Sequence, residues 1–273
     1  MIETIATAES NTELAPGYRL LTLTLIEDCK ISAGQFAMLK PKASIEPLLR
    51  RALAVYRVYG PRRVSFLYQV LGRGTEALAR IEPGGAVEIL LPLGNSWPDA
   101  FQGNQSVIVV AGGIGSASVY MVCEELARSA ADAQLLFGAR NERTALGCGL
   151  EDFRALGLPL TITTDDGSLG EHGLVTGPLE RQLTERARQG VMIYACGPWV
   201  MMRQVARIAA QFEVACLVSL EAPMGCGFGV CVGCVVAVNT NELPGYGSYK
   251  RVCTDGSIFP AETIRWEVNP MAH

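Results

Sequence analysis

The residues with the most chemistry to offer stand close together near the carboxyl end. Gly225-Cys226-Gly227-Phe228-Gly229-Val230-Cys231-Val232-Gly233-Cys234 is followed, after eighteen intervening residues, by Cys253. Cys-x4-Cys-x2-Cys with a distant fourth cysteine is the spacing at which thiolates hold a plant-type [2Fe–2S] cluster. Three thiolates on one loop surround the irons, and Cys253 closes the set. Gly225, Gly227, Gly229 and Gly233 let backbone N–H groups turn inward and share the negative charge of sulfide and thiolate. Two plainer readings stand beside this one. A structural zinc usually takes two close cysteine pairs, and only one pair here is unambiguous. Packed free thiols are the other. Cys29, Cys123, Cys148 and Cys216 are isolated and read as small buried hydrophobes. A total of nine cysteines is odd, which speaks against a disulfide framework. With His172 and His273 as the only histidines, a His-rich zinc centre or a His-based hydrolytic triad has almost no material.

A second kind of chemistry is suggested by glycine. Ala111-Gly112-Gly113-Ile114-Gly115-Ser116-Ala117-Ser118 follows an apolar run and precedes an amphipathic one. Free N–H groups and a positive helix end would sit there, where a pyrophosphate could bind. Ser118 stands where the dinucleotide fingerprint has its third glycine, and no clean acidic residue ends the next strand. A tight turn without ligand is the bland alternative. Tyr194-Ala195-Cys196-Gly197-Pro198 repeats the device: Pro198 suits the first helical position, and Gly197 allows close approach of a ring. Cys196 could touch a nicotinamide, or could be small merely to save space.

A third constellation lies in the first hundred residues. Arg50-Arg51-Ala52-Leu53-Ala54 opens a strand with two cations, and Gly72-Arg73-Gly74-Thr75 leads into a helix. Arg51, the N–H groups of Gly74 and Thr75, and the Thr75 hydroxyl would together satisfy a diphosphate. A solvated edge arginine is the plainer reading.

These residues need elements to position them. Residues 1 to about 100 read as β structure: Tyr18–Leu25, Ala52–Tyr59 and Val64–Val70 around the turn Gly60-Pro61-Arg62, and Val87–Leu91. Short strands with close turn signals predict a small antiparallel barrel. From about 105 the buried strands Ser106–Ala111, Ala133–Phe137, Leu160–Thr163 and Val191–Ala195 alternate with helices to about Ser129, over Gly177–Arg188 and over Pro198–Gln211. That rhythm predicts a parallel α/β sheet. A strand over Val214–Leu220 then leads into the cysteine-dense tail. The expected division is 1–100, 101–212 and 213–273.

Composition narrows the classes further. With 273 residues, 49% apolar, the chain has ample core for more than one domain. A net charge of −4 leaves no basic surplus for nucleic acid or for a membrane surface. No apolar run approaches the roughly 18 residues of a membrane span. Met1-Ile2-Glu3-Thr4 lacks the charged-then-apolar layout of a signal peptide, so a cytoplasmic protein is expected.

Taken in order, the motifs resemble the ferredoxin-reductase superfamily and, within it, the electron-transfer subunits of NAD-dependent (class B) dihydroorotate dehydrogenase. The likeness covers nearly the whole chain. It includes Arg51–Ala54, Gly74-Thr75, Pro92-Leu93-Gly94-Asn95, Gly112–Gly115, Asp166-Gly167-Ser168 and Cys196-Gly197-Pro198. Its most specific parts are Glu221-Ala222-Pro223-Met224-Gly225-Cys226 and Tyr249-Lys250-Arg251-Val252-Cys253-Thr254-Asp255-Gly256. The resemblance implies FAD on the barrel, lined by Arg51, Ala52, Leu53, Ala54, Tyr68, Gln69, Val70, Gly74 and Thr75. It implies NAD(H) on the α/β domain, at Gly112, Gly113, Gly115, Gly197 and Pro198, and a cluster held by Cys226, Cys231, Cys234 and Cys253. An FMN-containing catalytic subunit that oxidises dihydroorotate, in a heterotetramer of two plus two, is the implied partner. Two departures stand out. The flavin strand usually reads Arg-Pro-x-Ser where this chain has Arg51-Ala52-Leu53-Ala54, and a proline usually stands at Ser118. The readings that compete are a stand-alone or differently partnered NAD(P)H:ferredoxin or polysulfide reductase, and a zinc-stabilised binding module. Arg140 and Arg143 would favour a 2′-phosphate on the nucleotide and Glu142 would oppose one, which leaves NADH and NADPH both open.

Overall fold

A computed structural model describes residues 1–42, 46–98, 106–129, 131–185, 190–239 and 245–270. The first hundred residues alternate apolar and polar positions, and they form β1 (Ile2–Ala15), β2 (Tyr18–Leu25), β3 (Phe36–Pro41), β4 (Arg51–Ala54), β5 (Arg57–Gly60), β6 (Arg63–Gln69), helix α1 (Arg73–Ala79) and β7 (Ala86–Leu93). The strands pair antiparallel in the order β4-β3-β7-β1-β2-β6-β5. The two edge strands of that order, β4 and β5, are separated in the chain by Val55 and Tyr56 alone, so the sheet must curl until its edges meet. Those two residues stitch the seam. Val55 N donates to Gln35 O beside β3 at 3.0 Å, and Tyr56 N donates to Ser65 O in β6 at 2.9 Å. The single strand expected over 52–59 is therefore two strands. Alternation cannot reveal a strand that changes partners, because both halves keep the same period.

The chain then builds β8 (Ser106–Gly112), α2 (Ser116–Arg128), β9 (Ala133–Ala139), α3 (Glu142–Gly147), α4 (Leu150–Ala155), β10 (Leu160–Thr164), β11 (Glu171–His172), α5 (Thr176–Glu185), β12 (Val191–Cys196), α6 (Trp199–Gln211) and β13 (Ala215–Ser219). The expected division between 100 and 101 and the end of the helix expected to 188 lie outside the described residues. The tail adds β14 (Val235–Ala237), β15 (Tyr249–Arg251) and β16 (Ile258–Pro260). The second sheet has the order β11-β10-β9-β8-β12-β13-β16, parallel except for β16. β8 and β9 bury every residue but Ser106, as strands covered by helices on both faces must. β13 lies inside this sheet, and β16, from the tail, seals its edge; β14 and β15 form a separate ribbon. Among the described residues no helix is long and apolar enough to cross a membrane.

Candidate functional site

The order of the second sheet reverses between β8 and β12: the chain leaves β8 towards β9 and β10, then returns to the other side through β12. The ends of strands flanking such a reversal form the crevice in which open α/β sheets bind ligands. Both glycine turns lie there, with Cys196 in register with Ala111. Residues 113–115 form one 3-10 turn before α2, and Gly113 adopts φ +51, a conformation other residues rarely take. Gly115 and Gly197 meet face to face. A Cβ on Gly115 would stand 2.5 Å from Gly197 N, and one on Gly197 would stand 3.0 Å from Gly112 Cα. The glycines thus let the two turns touch each other, a requirement the sequence motif shares with ligand approach but does not distinguish from it.

Cys196 closes β12 and is 1% exposed. Burial pushes its thiol up to about 12, and the nearby Glu221 carboxylate adds to the rise, while the Ser219 and Ser118 hydroxyls and the Gly197 N–H oppose it. It is a neutral thiol at physiological pH. Ser118, in α2, shares a hydrogen bond of 2.7 Å with Ser219 at the end of β13, and the Ser118 carbonyl accepts the indole N–H of Trp97 at 2.9 Å. Glu221 follows β13. The residue is exposed at the surface, yet crowding by its neighbours removes enough water from the carboxyl to push it above its ordinary range. Ser219 and Glu221 were not expected in this cluster from their spacing, since strand ends converge only through the sheet order.

In the barrel, Arg50 is tied to Glu3 and Glu88. Arg51 instead lies across Gly74, so close that any Cβ there would strike its guanidinium. The two expected partners are thus brought together. The Thr75 hydroxyl is engaged locally: it donates to Gly72 O at 3.0 Å and accepts from Leu71 N at 2.9 Å, closing its own turn. Tyr68 is buried, its hydroxyl donating to Asn11 Oδ1 at 3.1 Å. Gln69 and Val70 are half-buried, as are Ala52, Leu53 and Ala54.

The cysteine loop rests on this same barrel. Gly227, at φ +83, packs against Met38 of β3, where a Cβ would stand 2.5 Å from Met38 Cγ. Met38 is the register partner of Ala52 in β4. One buried side chain therefore spans the space between the expected flavin strand and the loop that follows Cys226. Cys231 N donates to Cys226 Sγ at 3.4 Å. Burial raises the Cys226 thiol, but the N–H groups of Cys231, Phe228 and Val230, with the Cys231 side chain, outweigh it and bring the thiol down to about 6. Cys234 and Cys253 form a second pair: both are buried, and the Cys253 thiol is pushed up to about 12, first by burial and then by its hydrogen bond with Cys234. Among the described residues no group of three or more His, Cys, Asp or Glu side chains converges as a single ion would require. Pairing two and two is what a diiron cluster asks for, because bridging sulfides complete each iron. Gly225 and Gly233 flank Cys231 Sγ, which lies 3.4 and 3.6 Å from their Cβ positions, ordinary contact distances. The donor set and its glycine cradle fit such a cluster.

A flavin-type barrel joined to a nucleotide-type parallel sheet and a four-cysteine tail defines the architecture of a ferredoxin-reductase-like electron carrier. A solved structure described as giving insights into flavin-based electron bifurcation, that of the NADH-dependent reduced ferredoxin-NADP oxidoreductase, has this fold, at 24% identity and a TM-score of 0.82 over 96% of this chain and 90% of that one. Residues 221–265 match the family described as the iron-sulfur cluster binding domain of dihydroorotate dehydrogenase B. The dihydroorotate dehydrogenase B (NAD(+)) electron transfer subunit of Desulforamulus reducens is 37% identical over 235 residues, 86% of this chain and 87% of that protein. Its counterpart in Geobacillus kaustophilus is 35% identical over 233 residues, 85% of this chain and 86% of that protein. The chain belongs to the family of dihydroorotate dehydrogenase B (NAD(+)) electron transfer subunits. These findings support that reading and neither of the two alternatives.

Proposed function

We propose that the chain passes electrons between an FMN-containing subunit that oxidises dihydroorotate and NAD, in pyrimidine biosynthesis, using a [2Fe–2S] cluster and FAD. In this reading the flavin unit is 1–100, the nucleotide unit 101–212 and the cluster module 213–273, and the assembly holds two copies of each subunit. The reading locates it in the cytoplasm, which supplies NAD(H) and keeps free thiols reduced. When bound, FAD exchanges a two-electron hydride with nicotinamide and single electrons with the cluster. Arg51 and the Gly74 N–H would hold the flavin diphosphate, with Ala52 to Ala54 and Tyr68 to Val70 lining the ring. The N–H groups of Gly112, Gly113 and Gly115 would face the NAD pyrophosphate, and Gly197 and Pro198 would shape the nicotinamide end. Cys196, neutral and buried, would pack there without competing for protons. Cys226 with Cys231 would hold one iron and Cys234 with Cys253 the other. Backbone N–H groups already aimed at Cys226 would stabilise its thiolate.

The observation that carries this reading is the contact chain Ala52–Met38–Gly227, which sets the flavin strand and the cysteine loop side by side across one methionine. The test is reconstitution with the catalytic subunit. Dihydroorotate-dependent reduction of NAD is expected only when both chains are present, and is expected to disappear with Cys234→Ser. NAD reduction that persists after loss of the cluster would refute the route.

A further inference from the structure

One charged group joins the two cysteine-bearing segments without being a ligand. Arg251 ends β15, two residues before Cys253. Its Nη1 donates to Gly229 O at 3.3 Å, midway along the loop between Cys226 and Cys231. Asp255 aligns the guanidinium from the other side. Its carboxylate accepts from Arg251 Nε and Nη2 at 3.4 Å each and from the Arg251 backbone N at 2.7 Å. Gly229, at φ +91, lies against the same turn, and its Cβ position stands 2.8 Å from Thr254 Cγ2. The guanidinium also interacts electrostatically with the Cys234 and Cys253 sulfurs.

We propose that Arg251 is a positioning residue for the cluster with two separable effects: its fork ties the loop to the Cys253 segment, and its charge raises the cluster's reduction potential. This rests on the [2Fe–2S] reading. Reduction adds one electron, supplied by the titrant, and makes the thiolate-sulfide unit more negative. A fixed cation nearby therefore favours the reduced form. Asp255 and the solvent at the half-exposed guanidinium reduce the effect. Lysine would keep the charge but not the planar fork, whereas glutamine would keep a donor but not the charge.

The experiment compares the full-length, cluster-loaded native chain with Arg251→Gln and Arg251→Lys. A potentiometric titration monitored by electron paramagnetic resonance reads the charge effect, and iron release to a chelator from the oxidised protein reads the tie. Arg251→Gln is expected to lower the midpoint potential. Arg251→Lys is expected to hold the native potential yet release iron faster, by roughly 10-fold or more. If the Gln variant cannot retain iron, the Lys variant decides, since a lowered potential with the charge retained overturns the proposal. A Gln variant that titrates at the native potential overturns it as well. A native chain that takes up no iron and sulfide would defeat the cluster reading itself and is seen before any variant is compared.

Discussion

Asn11 illustrates how single residues support the site from a distance. From β1 its amide shares two protons among Leu78 O, Ala79 O and Ile81 O, at 2.9, 3.4 and 3.1 Å, around the end of α1. Its oxygen accepts from Arg19 Nε at 3.3 Å and from the Tyr68 hydroxyl. Asn11→Ala would leave several half-buried polar groups unpaired, so denaturant unfolding should show a loss of about 1–3 kcal/mol. A second expectation concerns Cys196. Its thiol is held up to about 12, so the unreactive protonated form prevails at pH 8. Mass spectrometry after alkylation of the cluster-free folded chain should find Cys226 modified and Cys196 intact, and modification of Cys196 at the rate of a free thiol would show that its burial is wrong. The four tail cysteines stand out in the sequence because ligand spacing is a local property, and the structure pairs them two and two. Asn11 does not stand out, because an asparagine inside a strand carries no signal of the helix end it will reach.

At the scale of elements, β8, α2, β9, β10, α5, β12 and α6 were readable from period and turn residues, whereas β1, β3, β11 and the short helices α3 and α4 were not. Partnership escaped as well. The segment 52–59 changes edges at Val55–Tyr56, and Ile258–Pro260 leaves the tail to complete the parallel sheet. Neither event alters the local pattern on which a reading of sequence depends. Pro92-Leu93-Gly94-Asn95 carried a family likeness but no physical reason until the structure supplied one. The Asn95 side chain exchanges two hydrogen bonds of 2.8 Å with the backbone of Ile258, fastening the barrel to β16. The glycine turns gain a meaning of the same kind. Gly115→Ala would drive a methyl into the Gly197 backbone, and backbone cannot rotate away as a side chain can. The expected result is a destabilisation of about 1–3 kcal/mol together with loss of NADH binding, read by thermal unfolding and by fluorescence titration. Unchanged binding would mean that the two turns separate freely.

Over the whole molecule, the barrel, the parallel sheet and the tail are fastened at several independent points. Tyr56 donates its hydroxyl to Asp152 of α4 at 2.8 Å, Arg57 pairs with Glu124 of α2 at 2.8 Å, and the Trp97 ring stacks on Tyr194 at 4.8 Å. Tyr18 fills the space above Gly147, where a Cβ would meet its ring at 2.6 Å. Such joints hold the switch crevice, β4 and the cysteine loop in one fixed relation, as the proposed transfer of electrons requires. Their sequence separation, 96 residues for Tyr56 and Asp152, explains why no local pattern announced them. The most direct measurement is an anaerobic addition of NADH to the purified full-length chain loaded with FAD, iron and sulfide, followed by electron paramagnetic resonance. The account requires the signal of a reduced [2Fe–2S] cluster, absent from Cys253→Ser. A native chain whose flavin bleaches with NADH while its iron stays oxidised would contradict it.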